Sequence, residues 1–353
     1  MYNLSLNKLR KRYCLYMTRL NEREIIDLFV TYFKDPLLNK VKGDDLVIVP
    51  LKYNMSKKTN KTTRTNLVLK CDMLVQSTDV PEIMKPWQIA RKSMTACVSD
   101  FAAKGIRPYA CLISIGIPKR YSKNDIIGLA NGFSQASKEY KVRILGGDTN
   151  ESKELIIDCN MVGITSREDN KIPRRNGARA GDFIVTSGKF GYSSSGLKII
   201  LSNLNAEKKF KSRSLSSVIN PKPQVEFGFH LAKYFSSSID SSDGLSSSLY
   251  EIALQSNNVN LLIDEIPTPK ELCNFANSNS ISIEDLLFFG GEEYEIVATV
   301  PRANYKKMIK KAKKHKIKIY KIGKVLTGTG NVYYSKEGVQ KLVKNNGFMH
   351  FAR

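Results

Sequence analysis

No stretch of this 353-residue chain approaches the ~18 consecutive apolar residues of a membrane span, so a transmembrane protein is not expected. The opening residues Met1-Tyr2-Asn3-Leu4 lack the apolar stretch of a signal peptide. Histidine is scarce. His230, His315 and His350 are far apart with no metal-ligand spacing, which argues against a zinc enzyme and leaves no evident histidine base. Cys14, Cys71, Cys97, Cys111, Cys159 and Cys273 are scattered without a C-x-x-C pair; they read as reduced core thiols, and a cytoplasmic location is expected. Neither a Gly-x-x-x-x-Gly-Lys-Ser/Thr loop nor a Gly-x-Gly-x-x-Gly fingerprint is present. The run Gly191-Tyr192-Ser193-Ser194-Ser195-Gly196 is one residue too long for a nucleophile elbow.

What is abundant is positive charge. Lys and Arg number 56 against 33 Asp and Glu, a formal net charge of +23. The basic clusters lie at Lys8–Arg12, Lys57–Arg64, Lys208–Arg213 and Lys306–Lys314, spread over separate segments and without the aromatic interleaving of an RNA-stacking sheet. Solvated basic faces are therefore favoured over a nucleic-acid groove. A chain this long accommodates two domains with a sizeable core.

The pattern predicts a basic extension over 1–20, then a helix from Glu22 to Phe33 with Ile25, Ile26, Leu28, Phe29 and Phe33 on one side. An exposed Lys/Thr/Asn loop over 54–66 joins strands at Leu46–Val49 and Leu67–Leu69. Helix Pro86–Lys104 has proline at its start and Gly105 past its end. Strand Ala110–Ile117 precedes a helix capped by Ser122-x-x-Asp125. After a strand through Leu155–Ile164, the irregular arginine-rich segment Arg167–Gly181 suggests a boundary, with domains over 21–168 and 169–353. Strands at Phe183–Thr186, Val259–Ile263, Tyr294–Val300 and Ile317–Ile322 alternate with helices in the second half. The fold class expected is α/β.

Acidic residues beside glycines or at strand ends recur through this mixture: Gly43-Asp44-Asp45, Cys71-Asp72, Ser99-Asp100, Gly146-Gly147-Asp148, Asp240-Ser241-Ser242-Asp243-Gly244 and Gly290-Gly291-Glu292. Carboxylates gathered without Cys or His suit a hard cation, Mg²⁺ above all, which usually arrives with phosphates. Asp100 falls in the last turn of its helix, where the dipole disfavours a negative charge. A bound cation would compensate it, and so would pairing with Arg91, Lys104 or another nearby base. Gly146-Gly147-Asp148 can wrap backbone N–H groups around a phosphate or be a plain turn. Asp240 and Asp243 can hold a metal or cap the helix after Gly244. Glu292 can be an ordinary acid on a bulge.

Taken in order, these motifs resemble the thiamine-monophosphate kinase family, within the superfamily of aminoimidazole ribonucleotide synthetase and selenophosphate synthetase. The resemblance spans about Glu22 to Phe351 and rests on Val98–Gly105, Leu145–Thr149, Ile239–Leu245, Gly290–Glu295 and Gly347–Phe351. It implies two α/β domains of the aminoimidazole ribonucleotide synthetase-like type, with the N-terminal sheets of two subunits pairing in a homodimer. It also implies Mg²⁺-dependent transfer of the ATP γ-phosphoryl group onto thiamine phosphate, ATP being a co-substrate and several Mg²⁺ ions taking part. Carried over by position, Asp45, Asp72, Asp100, Asp148, Asp240 and Asp243 are the implied metal ligands. Gly147, Asp148, Arg175 and Ser242 are implied ATP contacts, while Glu292 and Phe348 would form the pocket for the cationic thiazolium. Asp79 stands where the family usually has a substrate-side histidine, and Cys71 where it usually has a hydroxyl residue.

No side-chain base is needed for such a reaction. A phosphate monoester has a second pKa near ~6, so its oxygen is already an ionised nucleophile at neutral pH. The obstacle is repulsion between two polyanions. Two other readings stay open on sequence: another ATP-dependent enzyme of the superfamily, or a catalytically silent nucleotide- or RNA-binding protein. Aminoimidazole ribonucleotide synthetase is disfavoured because Cys71-Asp72-Met73-Leu74-Val75 replaces its Asp-Gly-Val-Gly-Thr-Lys signature; selenophosphate synthetase is disfavoured by the setting of Cys14.

Overall fold

A computed structural model describes residues 20–33, 43–51, 65–168, 171–257, 259–336 and 338–348. Nearly all of the expected basic extension, most of the 54–66 loop, Cys14, and Met349 to Phe351 of the last motif lie outside the described residues. The chain divides into two compact units, Met1–Lys42 with Phe348–Arg353, and Gly43–Gly347.

In the first unit, helix α1 (Glu22–Phe33) begins on a reciprocal capping box. The Glu24 N–H donates to Asn21 Oδ1 at 3.0 Å, and the Asn21 N–H donates to Glu24 Oε2 at 2.8 Å. Its Ile26, Leu28, Phe29 and Tyr32 are exposed.

The second unit opens with β1 (Val47–Leu51), β2 (Thr65–Val75), a single turn α2 (Gln76–Asp79), α3 (Pro86–Ala103), β3 (Pro108–Ile117), α4 (Lys123–Tyr140), β4 (Arg143–Glu151) and β5 (Ile156–Thr165). These strands form a mixed five-stranded sheet in the order β1-β2-β5-β3-β4. All pairs are antiparallel except β3 with β4, which runs parallel and leaves β4 on the edge, its nine residues exposed. Helix α4 carries the predicted cap: the Asp125 N–H donates to Ser122 Oγ while the Ser122 N–H donates back to the Asp125 carboxylate.

Strand β2 inverts the usual pattern. Its better-buried positions are Asn66, Val68, Lys70, Asp72 and Leu74, whereas Leu69 and Met73 of the alternate set are exposed. Because successive side chains alternate faces, two charged residues share a face with core residues and apolar ones point outward.

There follow β6 (Phe183–Thr186), α5 (Tyr192–Ser202), α6 (Lys208–Ile219), α7 (Val225–Leu231), β7 (Ser237–Asp240), α8 (Leu245–Gln255), β8 (Val259–Ile263), α9 (Leu272–Ser278), α10 (Ile283–Phe288), β9 (Ile296–Val300), α11 (Arg302–Lys314), β10 (Tyr320–Thr327), β11 (Val332–Lys336) and β12 (Val339–Leu342). Their strands build a seven-stranded sheet in the order β12-β11-β8-β10-β6-β9-β7. Strands β7 and β9 are buried along their whole length, so this end of the sheet is covered on both faces.

The change of sheet falls between Thr165 and Phe183, but both sheets belong to one compact unit. Helix α3 explains why. Ile89, Met94, Cys97, Val98 and Phe101 enter the core of the first sheet, while Ala102 and Ala103 join Val185, Phe227, Leu231 and Ile296 of the second half. The helix stops at Gly105, whose φ of +65° is open to glycine, and where a Cβ would stand 2.4 Å from that of Ala232.

Candidate active site

Three carboxylates that are 55 residues or more apart in sequence meet inside this frame. Asp45 lies in the turn before β1, Asp100 in the last turn of α3, and Asp240 at the end of β7. They are 3%, 6% and 4% exposed, and each offers an oxygen within 4.8 Å of the others. An all-oxygen, all-anionic, nearly dry donor set fits a hard divalent cation such as Mg²⁺.

Their electrostatics point the same way. Burial pushes the Asp100 carboxyl well above the usual carboxylate range; Lys70 opposes this, while Asp240, Asp72 and Asp45 reinforce it. Asp240 is raised by burial and then by Asp45. For Asp45 burial also favours the neutral form, but Arg175 and Lys104 outweigh it and hold the carboxyl low. A cation added to this cluster would therefore relieve a real repulsion.

Internal cations line the same carboxylates. Asp100 is paired, but with neither Arg91 nor Lys104: its partner is Lys70 of β2, with Nζ 2.7 Å from Asp100 Oδ2 and 3.1 Å from Asp72 Oδ1. Arg91 instead engages Glu139 and the Pro221 carbonyl. Lys104, 1% exposed, donates to the Ser238 carbonyl and pairs with Asp44 Oδ1 and Asp45 Oδ2, all at 2.7 Å. Arg175 Nε donates to Asp45 Oδ1 at 2.7 Å, and a second nitrogen lies 3.5 Å from Glu251 Oε2.

The other expected residues are distributed less tightly. Asp72 is adjacent through Lys70, and its Oδ2 is buried without a hydrogen-bond partner among the described residues. Asp243, on the turn after β7, lies outside the three-carboxylate group. Gly146-Gly147-Asp148 is not a plain turn. It lies within β4, with Asp148 opposite Ser114 of β3 and exposed. A Cβ at Gly147 would stand 1.7 Å from the Ile113 carbonyl oxygen, so the β3–β4 contact itself requires glycine there.

The Ser242 carbonyl accepts the Glu292 N–H at 2.6 Å, tying the Gly290–Glu295 segment onto the turn after β7. Glu292 has a left-handed backbone, φ +60°, and its carboxylate meets Lys92 Nζ at 2.6 Å. Lys92, 2% exposed, also donates to the Asp79 carbonyl at 2.6 Å. The Asp79 carboxylate accepts the Val75 N–H at 2.7 Å, so it closes its own turn. Phe348 belongs to the other compact unit and is half exposed.

Lys70, Lys92 and Glu293 were not singled out from sequence; Lys104 was named as a possible base for Asp100 and instead pairs with Asp44 and Asp45. Glu293 accepts the Gly191 and Ser193 N–H groups at the start of α5, at 2.7 and 3.2 Å. The signal that could have found Lys70 is a lysine two residues before Asp72 on a strand, which puts both side chains on one face.

Comparison with known proteins gives the arrangement a class and then a family. The AIR synthase related protein, N-terminal domain, matches residues 43–165. The thiamine-monophosphate kinase of Nitrosopumilus maritimus is 40% identical over 335 residues, covering 95% of this chain and all of its own length. That of Pyrococcus horikoshii is 36% identical over 290 residues, 82% of this chain and 85% of its own. Among solved structures, AaThiL complexed with AMPPCP and TMP superimposes with a TM-score of 0.79 at 27% identity, covering 95% of this chain and 99% of that one. The hydrogenase maturation protein HypE shares the fold at 19% identity and a TM-score of 0.62. The chain belongs to the thiamine-monophosphate kinase family.

Proposed function

We propose that this chain transfers the γ-phosphoryl group of ATP to thiamine phosphate, giving thiamine diphosphate and ADP. The observation that carries the reading is the dry cluster of Asp45, Asp100 and Asp240, in a chain alignable along nearly its whole length with kinases of this family. Bound there, Mg²⁺ would neutralise and align the two polyanions whose repulsion is the main barrier.

The chain's own residues do the rest. Asp45, Asp100 and Asp240 hold the cation, with Asp72 beside them through Lys70 and Asp148 and Asp243 as further candidates from β4 and the turn after β7. Arg175 steers through Asp45, and Lys104 locks the Asp44-Asp45 turn against β7. Glu292, held by Lys92, is the carboxylate offered to the thiazolium cation. The acceptor phosphate arrives ionised, so none of these groups has to remove a proton.

A homodimer belongs to the same reading. The outward residues Leu69, Met73, Leu112, Leu145 and Ile164 leave an apolar face on the first sheet, next to the edge of β4, which is unpaired among the described residues, and a second copy of that sheet would cover both. A cytoplasmic location accords with the free cysteines, and no described helix is long and apolar enough to cross a membrane.

The test is direct. Incubation with ATP, Mg²⁺ and thiamine phosphate should yield thiamine diphosphate and ADP in equal amounts, with unphosphorylated thiamine a poor acceptor. ADP without thiamine diphosphate would overturn the acceptor and leave an ATPase or sister enzyme. Neither product, with magnesium and nucleotide in excess, would favour a silent binding protein.

A further inference from the structure

We propose that Lys70 is a built-in cation of the carboxylate centre, standing between Asp72 and Asp100 where a divalent ion would otherwise bridge them. The inference rests on reading the cluster as a divalent-cation centre, and it concerns how many ions that centre takes.

Lys70 and Asp72 occupy the same face of β2, two residues apart, and α3 brings the Asp100 carboxylate to that face. The ammonium lies 2.7 Å from one carboxylate and 3.1 Å from the other, so a single positive charge is shared by two acids from different elements. Two of its three protons are used in this bridge. A metal ion bridging the same two groups would have to occupy nearly the same point, and the two cations exclude each other by charge and by space.

Lys104 provides the contrast. It is 1% exposed and its three protons have three acceptors, Asp44, Asp45 and the Ser238 carbonyl, which is the environment of a sealed structural ion. The Lys70 side chain is 21% exposed and its neighbour Asp72 29%. Lys70 approaches Asp72 Oδ1 and leaves the buried Asp72 Oδ2 with no hydrogen-bond partner among the described residues; Asp45 Oδ2, 2.7 Å from Lys104, also lacks a partner of hydrogen-bond geometry, so exposure is what separates the two lysines. The bridge is thus incomplete on one side, as expected of a lysine in the place of an ion with more coordination positions. A lysine tethered here supplies positive charge without a dissociation equilibrium. One of the two negative charges of Asp72 and Asp100 is then compensated at any magnesium concentration.

The experiment counts bound Mn²⁺ by electron paramagnetic resonance, titrating the full chain with Mn²⁺ in the presence of a non-hydrolysable ATP analogue. Wild type, Lys70→Arg and Lys70→Met are compared. Lys70→Met should bind one more Mn²⁺ per chain than wild type, and Lys70→Arg should bind the wild-type number. An equal count in Lys70→Met and wild type would overturn the role of Lys70 while leaving the metal centre intact. Failure of all three proteins to bind Mn²⁺ would overturn the metal-centre reading itself, and the inference with it. Should Lys70→Met be poorly folded without metal, its melting temperature decides: a steeper rise with Mn²⁺ than in wild type supports an added ion, and a parallel rise refutes it.

Discussion

Replacing Lys104 by methionine keeps most of the length and volume of the side chain and removes only its charge and its three donors. In the native fold burial disfavours the ammonium, yet Asp44 and Asp45 outweigh that penalty and raise its pKa. The substitution strands two buried carboxylates, the Ser238 carbonyl and the turn they anchor. Removing one partner of a buried ion pair costs about 3–5 kcal/mol. Asp44 keeps Arg174 at 3.0 Å and Asp45 keeps Arg175, which places the cost at the lower end of that range. With an unfolding entropy of ~2.1 cal/mol/K per residue over 353 residues, the melting temperature should fall by about 4–5 °C. Differential scanning calorimetry at neutral pH measures it, at low and at high salt. The fall should persist in salt, because a pair excluded from solvent is little screened. A folded variant melting within about 1 °C of wild type would refute the argument that Lys104 holds the loop before β1 to β7.

Four further outcomes are expected. Mg²⁺ with an ATP analogue should raise the melting temperature of the wild type, and Asp100→Ala should lose most of that shift; Asp148→Asn should weaken Mg-ATP binding, and wild-type affinity in calorimetric titration would remove Asp148 from the site. Burial holds the Glu295 carboxyl up to about 8, against an ordinary 4.5. Between those values the unfolded chain loses a proton that the fold keeps, so stability falls as pH rises through the window; Glu295→Gln should flatten that fall between about pH 5 and about pH 8, and an unchanged slope would count against the shift. Wild type should sediment as a dimer and Leu145→Asp, on the exposed edge strand, as a monomer with the circular dichroism of the fold kept; a monomeric wild type would refute the dimer, and a dimeric variant would place the contact elsewhere.

Local chemistry alone determined many of the elements. The limits of α1, the proline start of α3, the Ser122 cap of α4 and strands β6 and β8 follow from capping residues and apolar periodicity, which act within a few residues of the chain. The glycine-acid motifs marked Asp45, Asp100 and Asp240 for the same reason: the acids sit at element ends, and element ends are locally encoded. Helix α6, which read only as a basic cluster, was not legible because its buried Phe210, Ser214 and Val218 acquire meaning against other elements. The strand running through Gly146-Gly147-Asp148 was hidden by two glycines, and only the parallel partner β3 makes it a strand. Tertiary structure alone decided which base each acid would meet. Lys70, 30 residues before Asp100, and Lys104, 134 before Ser238, are brought to their partners by α3 lying across both sheets. Charge pairing in a dry interior depends on distances of a few ångströms, set by packing between segments far apart in the chain.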